Sequence, residues 1–327
     1  MREDHATDSG ENGDMQRNQA IIAGAVAVIV IAVVAFFLLR GSPELPIVGE
    51  SAEPSASASA SAEPSATPDL NAELLNRRWT VLYVGTDLNE ARELDDHVPN
   101  TDALMVVSVS ADQSEVSLIS LPRDTIDVPL SDGEAYPRKI NALYQDRGID
   151  ALVDAMEELY QLPIDGYVVL DMDDFTDMVA AVDGVDVNPE APLVDPIVNI
   201  DIEAGPQEIG AGTARSYVRS RVDQDYGRMA RQQEVVVSLI ERLTDPDRDL
   251  DVRELLDSFD SLETDLPLEE LPTLIEVARR ATDADVRELV ISPPLITFEG
   301  DRNDGRGYVL EPDVDAIRDA VSELIGE

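Results

Sequence analysis

Five arginines crowd one short stretch of an acidic chain: Arg215, then Arg219, Arg221, Arg228 and Arg231 within Tyr217–Gln233, YVRSRVDQDYGRMARQQ. Guanidinium groups are planar forks that grip phosphate or carboxylate with two bonds at once, so such a cluster is the chemistry of an oxyanion site. If Tyr217–Val222 is extended, alternation of side chains puts Arg219 and Arg221 on one face. Beyond the turn, Arg228, Arg231 and Gln232 are spaced i, i+3 and i+4, one face of a helix's opening turns. Cations there oppose the helix dipole, and an anion bound at that end would resolve the conflict. The competing reading pairs these arginines with the adjacent Asp223 and Asp225.

Carboxylates supply the complementary half of a phosphate site. Asp87 follows an apolar run in YVGTD, and Asp102 precedes another in TDALMVVSV, so both are expected at strand ends. Two carboxylates together with phosphate oxygens suit Mg²⁺, which keeps part of its water shell and takes few protein ligands. In a chain with 68 acidic residues, a solvated loop or cap role competes for each. Two further motifs carry cations: SLPRD, in which Arg123 leaves a strand just after Pro122, and KINALY, which contains Lys139. Arg123 can equally pair with Asp124. Lys139 is the one lysine among 24 basic residues, which suggests a position where a compact ammonium is wanted.

Composition narrows the function classes. A formal charge of −44 argues against nucleic-acid binding, which needs a basic footprint. The absence of cysteine removes disulfides, thiolate metal sites and cysteine nucleophiles. With 43% hydrophobic residues the chain can bury a substantial core, so most of the acid is expected at the surface.

The elements that must position these residues begin after an N-terminal anchor. Residues 1–19 form a short polar tail, and 20–39, AIIAGAVAVIVIAVVAFFLL, is an uncharged run between Arg17 and Arg40. About 20 apolar residues span a bilayer core as a helix. Its end, FFLLR, lacks the small-residue cleavage site of a signal peptide. Arg2 and Arg17 before the span, against Arg40 after it, favour the N-terminus inside and the rest of the chain outside the cytoplasm. Residues 41–78 read as a linker whose Ser/Ala/Pro tract, to about Asp69, is expected to be disordered and extended.

A folded domain is expected over 79–327. Runs at Trp79–Val84, Ala103–Val109, Val116–Leu121, Tyr167–Leu170 and Val286–Ile291 read as strands, the second and third joined by a polar turn. Helical spacing covers Ile149–Leu162, Asp173 to Gly184, Gly227–Thr244, Leu268–Ala281 and Asp313–Ile325. Interleaved strands and helices predict an α/β domain, and near-continuous apolar strands predict a sheet covered on both faces.

The order VLYVGTD, TDALMVVSV, SLISLPRDT, KINALY, IDGYVVLDMDDF, YVRSR and DYGRMARQQ resembles the LytR-CpsA-Psr family, from Trp79 through Gln232. TDLPLEELPTLIEVARR resembles the family's continuation. The resemblance implies a three-layer α/β/α domain with a central mixed sheet, held outside a bacterial cytoplasmic membrane by one helix. It implies a phosphotransferase that moves a glycopolymer from a polyprenyl diphosphate carrier to a muramic acid hydroxyl of peptidoglycan. Position by position, Asp87 and Asp102 match the family's Mg²⁺ carboxylates, with Mn²⁺ as an alternative metal. Arg123, Lys139, Arg219, Arg221, Arg228 and Gln232 match residues lining the diphosphate, and Asp102 or Asp124 would take the incoming hydroxyl's proton. Where the family commonly has Arg two residues before the second Asp, this chain has Asn100, a lost charge that Arg92 or His97 would have to supply. Two other readings stay open: a hydrolase of the carrier diphosphate, and a non-catalytic module that binds wall polymer or lipid carrier.

Overall fold

The computed structural model describes residues 70–87, 100–244, 263–267, 270–281 and 284–326. The expected anchor at 20–39 and most of the linker lie outside the described residues, as do Arg92 and His97. Among the described residues no helix is long and apolar enough to cross a membrane.

In chain order the elements are α1 (Ala72–Leu75), β1 (Trp79–Thr86), β2 (Thr101–Val109), β3 (Glu115–Ser120), β4 (Val128–Pro129), β5 (Ala135–Tyr136) and, after a 3-10 turn at Ile140–Ala142, α2 (Leu143–Arg147). Then come α3 (Ile149–Tyr160), β6 (Gly166–Leu170), α4 (Met172–Ala181), β7 (Val185–Val187), β8 (Leu193–Asp195), β9 (Ile200–Ile202), β10 (Gln207–Ile209) and α5 (Ala211–Tyr217). The remainder is α6 (Gln224–Thr244), β11 (Glu263–Thr264), α7 (Leu271–Arg280), β12 (Asp285–Val290), β13 (Ile296–Asp301), β14 (Tyr308–Pro312) and α8 (Val314–Ile325).

Six strands form one sheet in the order β11-β6-β1-β2-β3-β12. β1 runs parallel to β6 and β3 parallel to β12, while β2 is antiparallel to both β1 and β3, so the sheet is mixed as expected. Side chains alternate across it. Val81, Met105, Val107, Val116, Leu118 and Val168 enter one core with α4, α5, α6 and α7. Leu82, Val84, Leu104, Val106, Ile119 and Val169 enter the other with α3 and α8. Burial on both faces explains why β2 and β3 read as continuous apolar runs, and each fully buried Leu or Val contributes about 1.5–3 kcal/mol. The result is a three-layer α/β/α domain.

Two expectations are corrected. The folded part begins before Trp79, because Asn71 caps α1, Leu75 is buried, and the Asn71 amide donates to Thr273 Oγ1 at 3.0 Å. Those nine residues at the end of the expected linker, 70–78, therefore belong to the domain. Second, Tyr217–Val222 is not extended. Tyr217 closes α5, and a turn carries the chain to α6, which starts at Gln224 rather than Gly227. The β preference of Tyr and Val loses to packing: Ala214, Tyr217 and Val218, at helical i, i+3 and i+4 spacing, are all buried in the core. Ser220 N–H continues the helical pattern by donating to the Ser216 carbonyl at 3.0 Å.

The β1–β2 ladder carries a bulge where the site begins. Gly85 faces Ala103 and Thr86 faces Thr101, so Asp102 is the extra residue on β2. Bulges bend a strand and re-aim a side chain. The approach is close enough that a Cβ on Gly85 would stand 2.9 Å from Ala103 Cβ. Gly85→Val is expected to overpack the strand pair at a cost of about 1–3 kcal/mol and to displace Asp102. Urea denaturation checks this; an unchanged midpoint would show that the bulge tolerates the side chain.

Candidate functional site

The two carboxylates expected at strand ends are there, on neighbouring strands. Asp87 leaves β1 and exchanges backbone bonds with the start of β2: its N–H donates to the Asn100 carbonyl at 3.1 Å, and its Oδ1 accepts the Asn100 N–H at 2.9 Å. Asn100 thus pins Asp87 through backbone atoms that any residue at that position would offer. Asp102, on the bulge, accepts a bond from Arg123 Nη1.

Arg123 and Lys139 come together because their motifs dock on one another. The Asn141 N–H donates to the Arg123 carbonyl at 3.2 Å, the Ile140 N–H donates to the Thr125 carbonyl at 2.8 Å, and Thr101 Oγ1 donates to the Asn141 carbonyl at 3.2 Å. This folds the KIN turn over the PRD segment beside the start of β2. Asp124 links the two cations, with Lys139 Nζ 2.8 Å from its Oδ1 and Arg123 Nε 3.9 Å from its Oδ2. Burial works against the Arg123 charge, but Asp102 and then Asp124 outweigh it and hold its pKa above the ordinary arginine value.

The α5–α6 turn supplies the other side. Arg231 is buried and structural: Nε donates to the Tyr217 carbonyl at 3.0 Å, Nη2 donates to the Ser220 carbonyl at 2.6 Å, and both terminal nitrogens bond Asp223. For Arg231 the pairing reading is therefore correct. Asp223 reaches it across Gly227, since its carboxylate occupies the space a Cβ there would need. Asp195, also buried, accepts from Ser220 Oγ at 2.8 Å and from the Ile197 N–H at 2.9 Å, which ties the β8–β9 hairpin to the same turn. The Ser220 hydroxyl is the main reason its pKa lies below the usual carboxylate range. Gln232 Nε2 donates to the Val218 carbonyl at 3.3 Å, and Gln233 Nε2 to Ser120 Oγ at 2.9 Å, which fastens α6 to β3.

This scaffold presents three arginines differently. Arg219 is exposed, with no side-chain partner among the described residues. Arg221 is partly exposed, its Nε 3.7 Å from Asp225. Arg228 is only 2% exposed; its Nη2 lies 3.0 Å from Asp225, and its Nε is buried without any hydrogen-bond partner. Burial lowers the Arg228 pKa to about 10; Asp225 and Asp102 oppose the shift, while Arg221 and Arg123 add repulsion. Arg123 Nε is a second buried donor lacking a bond. Unsatisfied buried donors cost about 1–3 kcal/mol each, more when charged.

The structure thus gathers Asp102, Arg123, Lys139, Arg221, Arg228 and Gln232 about one point, with Asp87 at the neighbouring strand end and Arg219 on the adjoining turn. The fork expected from strand alternation of Arg219 and Arg221 does not form, because the segment is helix end and turn. No group of three or more metal-ligating side chains occurs among the described residues. Asp87 and Asp102 still offer hard oxygen donors of the kind Mg²⁺ takes when phosphate oxygens complete its shell, so the donor chemistry fits that ion. Sequence reasoning missed Asp195 as an organiser, one Asp among many that only the fold singles out; Asp225, named from the sequence as an arginine partner, pairs with Arg228 and approaches Arg221.

A narrow cleft of about 40 Å³ adjoins the cluster, lined by Ala103, Leu170, Met172, Phe175 and Val236, with Asp102 and Gln232 also on its wall. It joins an apolar slot between sheet and helices to the charged residues.

Comparison with known proteins places this geometry. Residues 48–322 match the profile of the LytR_cpsA_psr family. The chain is 27% identical over 309 residues to the polyisoprenyl-teichoic acid–peptidoglycan teichoic acid transferase TagU of Halalkalibacterium halodurans, covering 93% of this chain and 96% of that protein. It is 28% identical over 222 residues to the transferase of the same description, TagV, from Bacillus subtilis, covering 65% of this chain and 56% of TagV's length. The crystal structure of B. subtilis TagV superposes with a TM-score of 0.60 at 24% identity, over 77% of this chain and 98% of that one, a likeness of fold. With a family match across most of the chain, this chain belongs to the LytR_cpsA_psr family.

Proposed function

We propose that the protein transfers a glycopolymer from a polyprenyl diphosphate carrier to a muramic acid hydroxyl of peptidoglycan, on the outer side of the cytoplasmic membrane. In this reading residues 20–39 anchor the chain and 41 to about 69 space the domain from the bilayer. The observation that carries it is Arg228: a guanidinium removed from water, repelled by Arg123 and Arg221, with a donor left unbonded. A diphosphate is an anion of the right charge and oxygen count for such a group. Membership of a family that includes transferases named for teichoic acid and peptidoglycan supports the same reaction class.

Phosphoryl transfer asks a protein chiefly for positioning and charge stabilisation. The acceptor hydroxyl oxygen bonds to the polymer-side phosphorus, the bridging P–O bond breaks, and polyprenyl phosphate leaves with the electron pair. Arg123 and Lys139 hold diphosphate oxygens from the sheet side; Arg219, Arg221 and Arg228 close on them from the α5–α6 side. Asp87 and Asp102 would hold Mg²⁺ or Mn²⁺, which when bound neutralises charge on the diphosphate. Asp124 lines the open cavity beside Arg221 and is better placed than Asp102 to take the hydroxyl proton. Arg221 is dispensable for folding and needed for chemistry. Arg221→Ala should leave the urea midpoint within about 0.5 kcal/mol of wild type and lower carrier turnover about 10²–10³-fold. Wild-type turnover in this folded variant would remove Arg221 from the site.

Arg228 gives a second test. Inorganic pyrophosphate with Mg²⁺ at about 100 times its Kd should stabilise the wild-type chain by roughly 2.7 kcal/mol, read as a raised Tm. Arg228→Met should lose most of that response, and because it leaves Asp225 with Arg221 alone, ligand-free stability should fall by about 3 kcal/mol as well. A full pyrophosphate-induced rise in Tm in the folded variant would remove Arg228 from the site.

A further inference from the structure

Four large hydrophobic side chains are exposed among the described residues, and three of them, Val194, Ile197 and Val222, fall on two adjoining segments at the rim of the arginine cluster. Val194 and Ile197 belong to the β8–β9 hairpin, Ile197 within the tip at 196–199, and Val222 follows Arg221 in the α5–α6 turn. The hairpin alternates as a half-buried ribbon does: Leu193 and Ile200 enter the core, while Val194 and its cross-strand partner Asp201 face out. That packing does not call for an apolar tip, yet Ile197 stands there 92% exposed, where turn residues are ordinarily small or polar.

Tip and turn are held as one surface. Asp195 accepts from Ser220 Oγ at 2.8 Å and from the Ile197 N–H at 2.9 Å, and Ser216 Oγ donates to the Val198 carbonyl at 2.7 Å. Arg219 and Arg221, both exposed, border the surface. Of the neighbouring acids, Asp223 is bonded to Arg231 and Asp201 lies behind the tip, opposite Val194. Exposed apolar side chains bordered by guanidinium groups match a lipid surface, with the tips in the acyl boundary and the cations at the phosphate layer. A second copy would instead bring another formal charge of −44 against the first.

The path of the chain gives such a contact a purpose. β1 runs from Trp79 toward Asp87, and its eight residues at about 3.3 Å each separate the two ends of the domain by roughly 26 Å. α1 is fastened at the end away from the arginines, where Trp79 Nε1 donates to the Leu74 carbonyl at 2.8 Å. A tether attached there does nothing to turn the arginines toward a bilayer; an apolar contact at the arginine end does. With an anchor already holding the chain at the leaflet, a contact of modest strength suffices to orient the domain.

We propose that the β8–β9 tip and the α5–α6 turn dock on the phospholipid leaflet: Ile197 and Val222 enter the acyl boundary with Val194 at its edge, and Arg219 lies among the lipid phosphates. The arginine cluster is thereby turned to the level at which a lipid diphosphate lies. The proposal goes beyond the transferase reading and rests on it for the anchor at 20–39.

The chain has no cysteine, so a single introduced thiol carries a label to one place. The full-length chain bearing Ile197→Cys with an environment-sensitive fluorophore is reconstituted into vesicles of equal parts phosphatidylcholine and phosphatidylglycerol with nitroxide-labelled acyl chains. Glu73→Cys, exposed on α1, is the reference. The Ile197 label should be quenched at least about threefold more than the Glu73 label. With the label moved to Asp201→Cys, the double substitution Ile197→Asp with Val222→Asp should remove most of the quenching. The same double variant should lower transfer from a full-length lipid carrier about tenfold, while keeping transfer from a water-soluble short-chain diphosphate and the pyrophosphate-induced rise in Tm. Equal quenching at Ile197 and Glu73 in a chain that still transfers would overturn the docking surface and leave the transferase reading standing. Preferential quenching at Ile197 without transfer under any condition would overturn the transferase reading and leave the docking surface standing. Disulfide-linked dimers of the unlabelled Ile197→Cys chain would assign the patch to a second copy and overturn the proposal, as would lipid-carrier transfer unaffected by the double substitution.

Discussion

Holding a guanidinium group out of water beside the ends of a sheet's central strands is the constraint around which the site is organised. A desolvated charge is tolerated only with good partners, and at Arg228 the protein supplies Asp225 but leaves Nε unbonded. Arg231, by contrast, spends its donors on two carbonyls and Asp223, and so fixes the turn on which Arg219 and Arg221 sit. One arginine is saturated and structural, while its neighbour three residues earlier keeps one donor unbonded. The difference lies in the partners each backbone position can reach, and residue type alone does not show it.

The supporting features follow from that constraint. Gly227 is glycine because the Asp223 carboxylate occupies its Cβ position on the way to Arg231. The bulge at Asp102 turns a sheet residue toward Arg123, and the docked PRD and KIN segments bring a second carboxylate, Asp124, between Arg123 and Lys139. Gln233, bonded to Ser120, keeps α6 in register with β3, so the two halves of the site, one from the sheet edge and one from the helix start, meet. These interactions run between segments far apart in the chain, which makes the site a product of the whole fold.

That origin explains what could be read in the sequence. Strands buried on both faces and helices such as Ile149–Tyr160 announce themselves through local period, and the arginine cluster stands out against so acidic a chain. The segment YVRSRV misleads, because β-prone residues at Tyr217 and Val218 are captured as a helix end by the core they fill. Asp195 carries no local mark, being one acid among 68, and acquires its role only where the β8–β9 hairpin approaches the α5–α6 turn. The start of the domain is hidden for a related reason: α1 is too short to show a period, and it is recognisable as part of the domain only by Leu75 in the core and the Asn71 backbone N–H against Thr273.

The most direct measurement is the mass of a peptidoglycan oligomer after incubation with the full-length protein and a polyprenyl-diphosphate saccharide, with and without Mg²⁺. This account predicts a metal-dependent gain of one glycosyl phosphate on the acceptor and release of polyprenyl phosphate. An acceptor of unchanged mass beside free glycosyl phosphate would make the protein a hydrolase, and an unchanged acceptor beside intact bound carrier would make the arginine cluster a binding site without chemistry.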